Sequence, residues 1–195
     1  MSKIDSLNKL YLEYGEKFKE YEVVLGEGNV DSKILLIGEA PGRDEVKLKR
    51  PFVGMAGKNL SEFLRLLNLK KENIYISNAI KYRLSKLNVS TGRIINRPAT
   101  YEDIEESRRF LIEEIGILNP EYIITLGAVS LKAISGRTCI KMFEEHGKLE
   151  KIFINKNEYY VYPLYHPASI IYNRSLREVY IDDLNKLSKL FKDKL

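Results

Sequence analysis

Glu39 and Glu45 bracket a tight turn, "GEAPGRDE" (residues 38–45), directly after the apolar run "KILLIG". Carboxylates at the end of a strand can hold a water or face a developing positive charge. A phosphate cradle is the wrong reading, because the spacing matches neither glycine-rich phosphate motif and carboxylates repel phosphate. The plainer alternative is a solvated polar turn. Asn78, in "YISNAIKYR" (75–83), offers one acceptor and two donors, the set that reads a base edge, or it bonds the backbone of a turn. Phe52, in "RPFVGMAGKNL" (50–60), is a core residue or a stacking platform, and the nearby Gly54 and Gly57 suggest close backbone approach. His166 precedes Pro167 in "PLYHPASIIYNRS", and is an electrophile, an acid or a structural histidine. The following "SIIYNR" sets isoleucines beside Arg174 and Arg177. An apolar wedge with cations suits insertion into DNA.

These residues need elements to hold them. Residues 2–20 read as an amphipathic helix, and 33–38 as a short strand buried on both faces. Leucines and Phe63 at helical spacing predict a helix over 56–69, and 73–80 reads as a second buried strand. A long helix over 101–118 has Thr100 as N-cap, with Asp103 completing an approximate capping box. A third strand spans 121–127, and a short helix ends at Gly136. Residues 148–166 form a hairpin around "NKNE" whose second arm is the fourth core strand, and 175–191 close the chain as a helix. Alternating strands and helices predict an α/β domain with a mostly parallel sheet covered on both faces. Ligands bind such folds at the carboxyl ends of the strands, here "GEAPG", "SNAIKYR", "LGAVS" and "YHPAS", where the polar, unusual residues collect.

Bulk composition narrows the classes. The 195 residues suit one domain, and no apolar run approaches the ~20 residues of a membrane span. The start lacks a signal-peptide core, so a cytoplasmic protein is expected. A net charge of +5 is compatible with a polyanionic partner. One cysteine, Cys139, excludes an internal disulfide and a cysteine-built cluster, and two histidines exclude a histidine-rich metal site.

In order along the chain, "GEGN" with "KILLIGEAPGRDE", then "RPFVGMAG", "YISNAIKYR", "NRPATYEDIEESRRFL" and "YHPAS", the sequence resembles the uracil-DNA glycosylase superfamily, and within it family four, the iron–sulfur branch. The resemblance implies a single domain over 1–195. Its fold would be a three-layer α/β/α sandwich around a short, mostly parallel four-stranded sheet. It also implies roles: Glu39 and the backbone around Ala40 lie beside the sugar and the attacking water, and Phe52 stacks on uracil. Asn78 reads the Watson–Crick edge and rejects cytosine, and His166 bonds the uracil O2. The segment Ser169, Ile170, Ile171 to Arg174 fills the gap in the duplex. The implied partner is uracil-containing DNA, bound by a monomer without a membrane.

The chain departs from that family in three places. The branch holds its cluster with four cysteines, whose positions correspond here to Tyr11, Tyr14, Tyr82 and Ser107, while Cys139 matches none. No iron–sulfur cluster and no metal is therefore expected, with tyrosine packing in the vacated space. The loop 84–98, with Lys86, Arg93 and Arg97, is longer than the family's link, and is either a DNA-facing surface or a plain hairpin insertion. Ala40 stands where some relatives have a water-activating aspartate, which leaves Glu39 as first choice and Glu45 as second. Two other functions stay open. One is a glycosylase for another deaminated base such as hypoxanthine; the other is a DNA-binding module of this fold that has lost catalysis. An α/β hydrolase is excluded by the missing G-x-S-x-G turn.

Overall fold

The structure, a computed structural model, describes residues 1–173 and 175–194. The chain runs through α1 (Lys3–Lys17), β1 (Glu27–Gly28), β2 (Ile34–Gly38), α2 (Arg43–Leu48), α3 (Met55–Leu66) and β3 (Tyr75–Asn78). A hairpin follows, β4 (Ser85–Asn88) and β5 (Arg93–Asn96), then α4 (Tyr101–Leu118), β6 (Tyr122–Leu126) and α5 (Ala128–Ser135). The last elements are α6 (Met142–Glu145), β7 (Glu150–Ile154), β8 (Asn157–Leu164), α7 (Pro167–Tyr172) and α8 (Leu176–Lys194).

The main sheet has six strands in the order β1-β3-β2-β6-β8-β7, not the four expected. The expected four form its parallel centre: β2 pairs in parallel with β3 and β6, and β6 with β8. The other two are antiparallel edges, β1 on β3 and β7 on β8. A two-residue strand such as β1 carries no periodic signal, so pairing alone defines it. The loop 84–98 is the β4–β5 hairpin, a separate two-stranded sheet.

Strand alternation explains the layers. Leu35 and Ile37 of β2, with Ile123 of β6, enter one apolar core, built with Leu7, Leu10 and Tyr14 of α1, Phe110, Leu111 and Ile115 of α4 and Leu131 of α5. Ile34 and Leu36, with Tyr122 and Ile124, enter the other, against Leu60, Phe63 and Leu64 of α3 and Leu184 and Leu187 of α8. Successive side chains of a strand point to opposite faces, so a continuous apolar run supplies both cores. Helix α4 begins at the Thr100–Asp103 capping box and stops at Asn119, which is left-handed with φ 47°. Asn155 and Lys156, both with positive φ, turn β7 into β8. Among the described residues no helix is long and apolar enough to cross a membrane.

Candidate active site

The strand ends β2, β3 and β8 deliver their loops to one cavity of about 590 Å³, whose lining includes Ala40, Glu45, Phe52, Asn78 and His166. Gly38 and Asn78 are register partners on adjacent parallel strands. A Cβ on Gly38 would sit 2.4 Å from the Asn78 Oδ1 and 2.5 Å from the Phe52 ring. Glycine at 38 therefore lets the buried amide and the aromatic ring meet. Phe52 itself has φ 53°, left-handed backbone that costs an aromatic residue roughly 1–3 kcal/mol. Its surroundings hold it there: a Cβ on Gly57 would lie 2.0 Å from the Phe52 carbonyl oxygen, so the turn of α3 closes directly over that backbone.

The two carboxylates separate. The second half of "GEAPGRDE" is the first turn of α2, where acids complement the helix N-terminus. Glu45, buried in that turn, accepts from the Gly42 N–H at 3.1 Å and from the Gly54 N–H at 2.9 Å, one bond to each oxygen. It thus ties the turn after β2 to the turn that carries Phe52. Glu39 is half-buried and does not line the cavity. Burial raises its pKa above the ordinary carboxylate value, partly offset by a hydrogen bond from the Ala99 backbone.

His166 caps α7, and its Nδ1 accepts from the Ala168 N–H at 3.2 Å. A ring nitrogen that accepts carries no proton, which leaves the neutral ring with Nε2–H as its donor. Burial lowers the His166 pKa, with the negative charge of Glu45 opposing. Gly127, at φ 92°, passes close: its Cβ would be 3.3 Å from that of His166.

Behind Asn78 lies a support that the motifs did not reveal. Lys81 and Glu114 form an ion pair at 2.8 Å, with side chains 1% and 0% exposed. Lys81 Nζ also donates to the Asn78 carbonyl at 3.1 Å. Glu114 accepts from the Ser77 hydroxyl at 3.0 Å and from the Tyr11 hydroxyl. The signal was present in the sequence, since Glu114 falls on the apolar stripe of α4 with Leu111, Ile115 and Leu118. An acid on a buried stripe implies a buried partner.

Tyr14, Tyr82 and Ser107 meet in the first core. The Tyr14 hydroxyl is 3.2 Å from the Ser107 Oγ, and the Phe18 ring packs at a tilt with its centroid 4.5 Å from that of Tyr14 and 4.9 Å from that of Tyr82. The Tyr82 hydroxyl donates to Asp103 at 2.8 Å, while Tyr11 turns to Glu114 and Tyr75. This set does not fit a thiolate-held cluster: its donors are hydroxyls already hydrogen-bonded among packed rings. Cys139, the chain's single cysteine, is exposed. Among the described residues no group of three or more His, Cys, Asp or Glu could hold a metal ion.

The residues expected to touch DNA are distributed differently. "SIIYNR" begins as a helix rather than an extended loop: Ser169 is half-buried in α7, and Ile170 packs against the second core. Arg174 and the side chain of Ile171 lie outside the described residues. Arg93 is exposed on the hairpin. Arg97 grips Asp103 with bonds of 2.6 and 2.9 Å, so its guanidinium anchors the hairpin to α4.

A family model described as the uracil DNA glycosylase superfamily matches residues 25–190. A Thermotoga maritima protein named type-4 uracil-DNA glycosylase is 35% identical over 172 residues, covering 87% of this chain and 83% of its own length. A protein of the same name from Archaeoglobus fulgidus is 33% identical, covering 86% of this chain and 81% of its own. A third, from Saccharolobus solfataricus, is 34% identical, covering 91% of this chain and 80% of its own. With a family match over most of its length and relatives of this similarity, the chain belongs to the uracil-DNA glycosylase superfamily.

Proposed function

We propose that this protein is a monofunctional DNA glycosylase that hydrolyses the N-glycosidic bond of uracil in DNA and leaves an abasic site. The observation that carries this is the meeting of Asn78, Phe52 and His166 in one cavity at the strand ends. Relatives named type-4 uracil-DNA glycosylase support the same substrate.

Each side chain then has a physical task. Phe52 stacks on the extruded base. The Asn78 amide pairs with the uracil edge, and cytosine meets it with the opposite donor pattern. As the bond breaks, positive charge grows on the sugar and negative charge on the departing uracil. The His166 Nε2–H, neutral and already oriented by the Ala168 N–H, donates to the uracil O2 as that charge appears. One such preorganised donor is worth roughly 10²–10³ in rate. Glu39, outside the cavity lining but next in sequence to Ala40, which is in it, reaches the attacking water from that side, and its raised pKa makes it the stronger base. Glu45, with both oxygens already accepting backbone N–H groups, supplies fixed negative charge facing the sugar. Extruding the base costs a few kcal/mol, which the fitted pocket, α7 and cations such as Arg93 offset.

The enzyme works in the cytoplasm without an iron–sulfur cluster. Tyr14, Tyr82 and Ser107 stand where the branch places thiolates, and their hydroxyl bonds and ring contacts support that reading. Protein from iron-replete cells should carry no stoichiometric iron or sulfide; a stoichiometric amount of either contradicts a cluster-free core.

The experiment is single-turnover uracil release by the wild type, Asn78→Ala and His166→Ala, with folding checked by circular dichroism. Losses of about 100-fold or more in both folded variants are expected. Full activity in both overturns the assigned roles.

A further inference from the structure

Resting on the uracil-glycosylase reading, we propose that the β4–β5 hairpin is a second DNA-contacting arm, whose apolar face packs on the nucleotides beside the extruded uracil in duplex DNA.

Leu87 and Ile94 are direct cross-strand partners, so their side chains share one face of the ribbon. They are 61% and 62% exposed, and Val89 at the turn is 91% exposed. An isolated two-stranded hairpin is marginal in water, so this one needs external support. At its turn, the Asn88 Oδ1 accepts from the backbone N–H groups of Ser90 and Thr91. Gly92, at φ 65°, closes the turn with an N–H bond of 2.8 Å to the Asn88 carbonyl. At its base, the Arg97 N–H bonds the Leu84 carbonyl at 3.0 Å, and the Arg97–Asp103 pair fastens the strand to α4. Exposed apolar side chains are thus held out on an ordered ribbon.

Two observations select the occupant. First, Ile94, Ile95 and Asn96 line the same cavity as Asn78, Phe52 and His166. The apolar face is therefore continuous with the base pocket. Whatever enters the pocket brings its flanking nucleotides against the hairpin. Second, residues 73–101 contain no Asp or Glu, while Lys86 and Arg93 stand exposed on the hairpin. Lys86 and Arg93 lie on the ribbon face opposite Leu87 and Ile94. An apolar face backed by cations on the ribbon's other side, with no acid on the hairpin itself, fits a groove in which bases and sugars meet one face and phosphates the other. A two-stranded ribbon also has the width of a DNA groove. On duplex DNA such an arm packs against the base pairs beside the extruded nucleotide. On a single strand there is no stack to hold open, so the arm matters less.

The test uses L87S/V89S/I94S, whose altered side chains are exposed and outside the proposed catalytic set. Thermal melting should match the wild type. Anisotropy on a duplex with a stable abasic-site analogue should show binding weakened roughly tenfold or more, against about twofold on the matching single strand. K86A/R93A should flatten the salt dependence of duplex binding by about 1–2 in log–log slope. Unchanged duplex binding in the triple variant overturns the inference and leaves the apolar face to a protein partner. Equal losses on duplex and single strand also overturn it. Uracil release by the wild type is read separately. If no uracil is released from either substrate, the glycosylase reading fails, and the binding arms still decide the hairpin.

Discussion

Removing one member of the Lys81–Glu114 pair should do more damage than removing both charges. Each side chain is essentially unexposed, and the pair is 2.8 Å apart. Lys81→Met leaves a buried carboxylate facing hydroxyls alone. Glu114→Gln keeps an acceptor for Ser77 and Tyr11 but leaves a buried ammonium. Breaking a buried pair from one side costs about 3–5 kcal/mol, whereas a neutral replacement of both is often tolerated. For a chain of this size each kcal/mol moves Tm by about 2–4 °C, so either single variant should melt roughly 6–20 °C lower. K81M/E114Q should melt above at least one of the singles, a strong positive coupling. Urea unfolding of the four proteins measures the cycle directly. Singles that each cost under about 1 kcal/mol, or costs that simply add, refute the buried-pair reasoning. Lys81 also holds the Asn78 carbonyl, so K81M should lose more activity per degree of Tm than E114Q.

Other consequences follow from single contacts. Gly38→Ala should abolish uracil release while leaving a folded protein, because its Cβ would strike both the Asn78 amide and the Phe52 ring; near-normal release in a folded variant contradicts the geometry. The rate should fall at acid pH, since Glu39 must be ionised and His166 neutral. Burial raises the Glu39 pKa above its ordinary 4.5 and lowers that of His166, so the acid limb of kcat/KM should centre above 4.5; a limb centred at or below 4.5 is the contrary result. The Arg97 guanidinium holds the Asp103 pKa well below its ordinary 3.8, so the stability it contributes is present above that value and lost as pH falls through the folded one. Asp103→Asn should therefore cost about 1.5–3 kcal/mol at pH 7, and the gap to the wild type should shrink below about pH 4; a gap independent of pH removes the Arg97 pairing as its cause.

Features set by neighbouring residues were legible in the sequence. The Thr100–Asp103 box and the Asn119 stop delimit α4, because caps act within a few residues. The apolar run 33–38 announced a strand buried on both faces, and 121–127 a third strand, which proves equally buried. The short helix α7 was not legible: its first residue is Pro167, a position where proline is well tolerated, but six residues carry too little periodicity to announce a helix. Side-chain direction was not legible. Which carboxylate enters the cavity is decided by the distant N–H groups of Gly54 and Ala99. The Lys81–Glu114 pair joins the segment just after β3 to the last third of α4, a contact that only the packed sheet creates. The hairpin's independence from the main sheet has the same origin.

Uracil excision is read out by incubating the protein with labelled duplexes carrying U·G, U·A, hypoxanthine·T or only normal pairs, and measuring the free base released. Release of uracil from the first two, with neither hypoxanthine nor any normal base released, is the predicted result. Intact duplexes throughout, bound but uncut, would contradict it and make the chain a binding module; release of hypoxanthine in preference to uracil would contradict the reading of Asn78.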